Sequence, residues 1–62
     1  KPMYLYNKVG TKWQCYCYFK WINNINIVTT SIAKTKKEGK ANTSLKLIIH
    51  LENYLFITSL SN

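Results

Sequence analysis

Apolar and polar residues alternate through the first half of the chain, and the period then changes. From Lys12 to Trp21, one parity holds Trp13, Cys15, Cys17, Phe19 and Trp21, and the other holds Gln14, Tyr16, Tyr18 and Lys20. A period of two marks a strand with one buried face, so the odd positions read as core and the even ones as surface. Upstream, Tyr4, Tyr6 and Lys8 alternate with Met3, Leu5, Asn7 and Val9, until Gly10-Thr11-Lys12 breaks the run. Downstream, Asn23-Asn24 tolerates the left-handed backbone that a tight turn requires, ahead of a third apolar segment. The pattern predicts strands over about 3–9, 13–22 and 25–33 in an antiparallel meander.

Loop length decides which face each strand shows, because a one-residue slip inverts a strand. A two-residue Gly10-Thr11 loop would set Lys8 opposite Trp13 and place a charge on the core face. A three-residue loop pairs Val9 with Trp13 and Leu5 with Cys17, and it sets Tyr6 beside Tyr16 and Tyr4 beside Tyr18 on the outer face. The three-residue loop is preferred on that ground. A tight turn at Asn23-Asn24 puts Val28 and Ile32 opposite Phe19 and Cys15 in the core. The outer face then carries Tyr4, Tyr6, Lys8, Gln14, Tyr16, Tyr18, Lys20, Thr29 and Ser31.

A basic run, Lys34-Thr35-Lys36-Lys37-Glu38-Gly39-Lys40, reads as a connector that is either a solvated turn or a phosphate contact. Beyond it the period lengthens. Leu45, Ile48, Ile49, Leu55 and Phe56 recur near i, i+3, i+4, with Leu47 and Leu51 widening the stripe, and Thr43-Ser44 can cap. A helix over about 43–58 would cover the apolar side of the sheet, and Ser59 to Asn62 read as a frayed end. The competing reading is a second hairpin and an all-β, five-stranded fold, since Leu45, Leu47, Ile49 and Leu51 also alternate. The need for a cover favours α+β, a three-stranded antiparallel sheet packed on one carboxy-terminal helix.

Sixty-two residues make a single small domain with little core, which reads as a fragment of a larger chain. Nine lysines, no arginine and two acidic residues give a net charge of +7, which argues for an anionic partner. Lysine is a point charge without the arginine fork, so phosphate contact is expected more than guanine-edge readout. Cys15 and Cys17, two apart on one strand face, cannot bridge comfortably and read as buried free thiols of a reducing compartment. His50 is alone, and no ligand set for a metal and no cofactor motif is present. Residues 45–60 are interrupted by Lys46, His50, Glu52 and Asn53, so no transmembrane segment is expected. A cytoplasmic location is expected.

The run Tyr4-Leu5-Tyr6, then Gly10-Thr11-Lys12-Trp13-Gln14-Cys15-Tyr16-Cys17-Tyr18-Phe19-Lys20, then Thr35-Lys36-Lys37-Glu38-Gly39-Lys40-Ala41, resembles the amino-terminal arm-type DNA-binding domain of phage and conjugative-transposon integrases, of the tyrosine recombinase family. The resemblance covers about residues 4–41. It implies a three-stranded sheet on a helix, with the sheet in the DNA major groove, and a helix that starts at the threonine-lysine-lysine-glutamate segment. It also implies that Tyr16, Tyr18, Lys20 and Thr29 face the groove while Lys12, Lys36 and Lys37 contact phosphates. Lys8 and Gln14 join this set as members of the outer face. The chain departs from the family pattern at Ile22 to Ile27, at Ser31-Ile32-Ala33, and at Gly39, where an alanine is usual.

Function classes follow from these residues. The first is a non-catalytic domain that binds duplex DNA and docks the remainder of a recombinase chain; the family's chemistry needs arginines, and this chain has none. The second is a small basic structural or assembly protein on RNA, such as a ribosomal or organellar subunit. A cationic membrane-active peptide is weaker, because Lys46 is the lone cation of the apolar segment. An enzyme is the least supported class, since Glu38, Glu52 and His50 lack partners in sequence. Tyr16 and Tyr18 also have a purely structural reading as cross-strand partners of Tyr6 and Tyr4, and Trp13 and Trp21 read as core.

Overall fold

The computed structural model describes residues 1–61. Strands β1 (Met3–Val9), β2 (Lys12–Lys20) and β3 (Asn26–Ala33) form an antiparallel sheet in the order β1-β2-β3, and helix α1 (Lys36–Ser61) lies across it. The α+β reading holds, and the five-stranded alternative does not. The helix is longer than 43–58, however. It begins inside the basic run, where Thr35 rather than Thr43 caps it: the Glu38 N–H donates to Thr35 Oγ1 at 3.1 Å, and the Gly39 N–H to the Thr35 carbonyl. Threonine followed three residues later by glutamate is the sequence signature of a capping box. The helix also takes in residues read as a frayed end, of which Asn62 lies outside the described residues.

Both registers differ by one residue from those predicted. Val9 pairs with Lys12 and Lys8 with Trp13, across a two-residue Gly10-Thr11 loop. Gly10 has φ +62, a left-handed conformation that lets so short a loop follow the twist of the strands. The charge that counted against this register is not buried. Lys8 is exposed, and its ammonium lies 4.9 Å from the centre of the Trp13 ring, which attracts it. Tyr4, Tyr6 and Lys8 therefore share the helix side of the sheet, and Met3, Leu5, Asn7 and Val9 the open side.

On the other flank, Phe19 pairs with Ile27, Cys17 with Thr29, Cys15 with Ser31 and Trp13 with Ala33. β2 ends at Lys20, and five residues connect it to β3 instead of a two-residue turn. A short 3₁₀ segment, Ile22–Asn24, lies within that connection, and Asn23 and Asn24 take φ +60 and +59, the conformation expected of asparagine here. The odd loop length puts Val28 and Ile32 on the open side, half or more exposed, and turns Ile27, Thr29, Ser31 and Ala33 inward.

That inward row explains the packing. Ser31 and Ala33 are small, and opposite them α1 presents Gly39, where a Cβ would lie on Cys15 Sγ and 2.9 Å from Cys15 Cβ. The helix thus rests almost directly on the sheet. Four residues on, Thr43 is fully buried, and Leu47 four further packs with Cys17 and Ile27. Tyr4, Phe19, Trp21 and Leu51 close around that cluster. Hydroxyls facing the helix find its carbonyls: Thr29 Oγ1 donates to Thr43 at 2.8 Å and Ser31 Oγ to Gly39 at 3.3 Å. Tyr4 and Ser44 share a hydrogen bond of 2.6 Å. Free Cys15 and Cys17 lie buried in this layer.

Candidate nucleic-acid interface

Alternation places five even-numbered side chains of β2 on the side of the sheet away from the helix: Lys12, Gln14, Tyr16, Tyr18 and Lys20. This part of the sequence-based set is assembled as expected, in one row down the middle strand. Tyr16 and Tyr18 stack on one another with ring centres 6.3 Å apart and planes inclined by 25°. They do not pair across strands with Tyr6 and Tyr4, as the structural alternative had it, because those rings are on the opposite side. Lys12 and Lys20 close the row at its two ends, about 26 Å apart at roughly 3.3 Å per residue.

The columns beside this row differ from those predicted. Met3 and Leu5 flank Tyr18 and Tyr16 on β1, and Val28 and Thr30 flank them on β3, with Ile32 beside Gln14. Met3, Leu5, Val28 and Ile32 are all about half or more exposed. The open face is therefore a polar and aromatic midline between apolar borders.

The other four sequence-predicted site residues lie elsewhere. Thr29 faces the helix, where its hydroxyl is committed to Thr43. Lys8 faces the helix side at the hairpin end. Lys36 comes to the same place from α1, with its ammonium 4.6 Å from the Trp13 ring centre and 5.5 Å from that of Tyr6. One turn later Lys40 lies 5.0 Å from the Tyr4 ring centre. Lys34, Lys36 and Lys37, all exposed, stand at the start of α1, where the unsatisfied N–H groups of the first turn add partial positive charge. The hairpin end of the molecule is thus a second basic region, distinct from the β2 row.

Sequence reasoning missed the ring contacts of Lys36 and Lys40. Their i, i+4 spacing opposite the Tyr4/Tyr6 pair is the signal that could have shown them. It also missed Lys46, whose ammonium donates to the Thr30 carbonyl at 2.6 Å and occupies an acceptor on the edge strand β3.

No protein-family model, curated protein or solved structure matches the chain. Its chemistry has to be read from its own surface. Among the described residues no group of three or more His, Cys, Asp or Glu is placed to hold a metal ion, and no helix is long and apolar enough to cross a membrane.

Proposed function

We propose that the chain is a non-catalytic module that binds duplex DNA through the open face of its sheet, as in the integrase arm-type domains it resembles. The observation that carries this reading is the β2 row, with three polar or aromatic side chains bracketed by two lysines on an uncovered surface. A major groove is about 12 Å wide and admits a β-ribbon. A row about 26 Å long overhangs both walls, so Lys12 and Lys20 reach the flanking phosphates while Gln14, Tyr16 and Tyr18 lie over base edges. Exposed Met3, Leu5, Val28 and Ile32 suit apolar contact with thymine methyl groups. Lys36 and Lys37 add phosphate contacts from the hairpin end.

Titration with a short DNA duplex at about 50 and 200 mM salt tests this reading. Four phosphate contacts correspond to a slope of log Kobs against log salt of about −3.6, and Lys12→Gln or Lys20→Gln each lowers that slope by about 1. Binding without salt dependence, or no binding, overturns the proposal. A-form RNA closes its major groove to a sheet, so equal affinity for an RNA duplex would instead favour the assembly-protein reading.

A further inference from the structure

The β2 row ends in a cleft. At the Lys20 end a cavity of about 440 Å³ opens between Lys1, Met3, Tyr18, Lys20, Asn26 and Val28. Its volume falls in the range of small-ligand sites. Its walls come in two kinds. Met3, Val28 and Tyr18 form one cross-strand row and offer two apolar side chains and the face or edge of an aromatic ring. Two cationic residues, Lys1 and Lys20, and the amide-bearing Asn26 complete the lining. Among the described residues none of Lys1, Tyr18, Lys20 and Asn26 makes a side-chain hydrogen bond or ion pair, so two cations and two further polar groups at one cleft are uncommitted.

Uncompensated positive charge beside a half-exposed ring and an apolar floor selects for a ligand that has both halves. Inorganic phosphate would leave the floor wet, and an uncharged ring would leave the ammonium groups unpaired. We infer that this cleft binds a planar aromatic ring carrying an anionic group, the chemistry of a single nucleotide, with the ring against Tyr18, Met3 and Val28 and the phosphate between Lys1 and Lys20. The inference extends the DNA-binding reading to one unpaired nucleotide and rests on it for the class of partner. Free nucleotide and a nucleotide at the end of a strand share this chemistry.

Amide-resolved NMR titration of the whole chain with adenosine monophosphate, adenosine, phosphate, laurate and a short single-stranded oligonucleotide separates the possibilities. Adenosine monophosphate is expected to shift the amides of Tyr18 to Lys20 and Asn26 to Val28, with adenosine and phosphate each at least tenfold weaker. Tyr18→Ala or Lys20→Gln, both at exposed positions, weakens it about tenfold, as loss of one base–aromatic stack or one paired charge does. An oligonucleotide acting at lower concentration than the monophosphate identifies a strand as the source, and equal or weaker action identifies the free nucleotide. Absence of localised shifts, equal shifts from phosphate alone, or tighter binding of laurate overturns the inference. Duplex binding that persists with no monophosphate shift removes the cleft site and leaves the duplex reading standing; the reverse result removes the duplex reading alone.

Discussion

The two ends of helix α1 invert the usual relation between composition and burial. Its first nine residues, from Lys36 to Ser44, are nearly all polar or small, yet they include Gly39 and Thr43, both buried against the sheet. Its last two turns are rich in leucine, isoleucine and phenylalanine, yet Leu55 is 54 % exposed, Phe56 64 % and Leu60 71 %. The cause is length. Twenty-six residues make a helix about 39 Å long at 1.5 Å per residue, whereas nine residues of β2 extend about 30 Å. The two start at the same end, where Lys36 meets Trp13, and the helix outruns the sheet beyond Leu51, which accounts for the 47 Å long axis. A side chain is buried when something stands opposite it, and hydrophobicity supplies the drive without supplying the partner.

Truncation on the sheet-covering half should have the largest effect. Leu47 is 5 % exposed and packs on Cys17 and Ile27, so Leu47→Ala is expected to cost about 3 kcal/mol. In a domain this small each kcal/mol corresponds to about 4–8 °C in Tm, and thermal unfolding followed by circular dichroism would show the loss. A change of under about 1 kcal/mol would mean that the helix is not held by this cluster.

Gly39→Ala should come next. Alanine is the better helix former by about 1 kcal/mol, but its Cβ must displace Cys15 at the closest approach of helix and sheet. Overpacking of this kind costs about 1–3 kcal/mol, so a net loss of up to about 2 kcal/mol is expected. Adding Cys15→Ala should recover part of it. Stabilisation by the single change, in urea unfolding, would refute the close approach. The reverse substitution at an exposed helix site, Ala41→Gly, should cost about 1 kcal/mol through propensity alone, which makes this pair a direct comparison of propensity with packing.

The overhang should be nearly silent. Phe56→Ser exchanges an exposed ring for a small polar group and is expected to change stability by no more than about 0.5 kcal/mol, despite removing the largest apolar side chain of the last two turns. A loss as large as that of Leu47→Ala would show that the overhang has a partner in solution, and sedimentation of the same samples would identify self-association.

Much of the candidate interface was legible because it depends on parity within one strand. Whatever its neighbours do, Lys12, Gln14, Tyr16, Tyr18 and Lys20 share a face if residues 12–20 are extended. The flanking columns depend on registers, and those were decided at the loops. Lys8 can sit opposite Trp13 because a lysine at a sheet margin keeps its ammonium in water and over a ring at once. Val28 and Ile32 belong to the core only if a tight turn at Asn23-Asn24 joins the strands, and five residues join them. The structure instead turns Thr29, Ser31 and Ala33 inward, where their size admits the helix and their hydroxyls meet its carbonyls.

By itself, then, the sequence determined the elements: three runs of period two, asparagines and a glycine where left-handed backbone is needed, a Thr35–Glu38 cap, and the row of β2 side chains. Those are properties of a few residues and their immediate neighbours. Tertiary structure decided which face each outer strand shows, why Gly39 stands in a helix, and which apolar residues stay in water. Each of these depends on how close α1 can come to the sheet and how far it runs past it, distances between parts of the chain that no local pattern encodes.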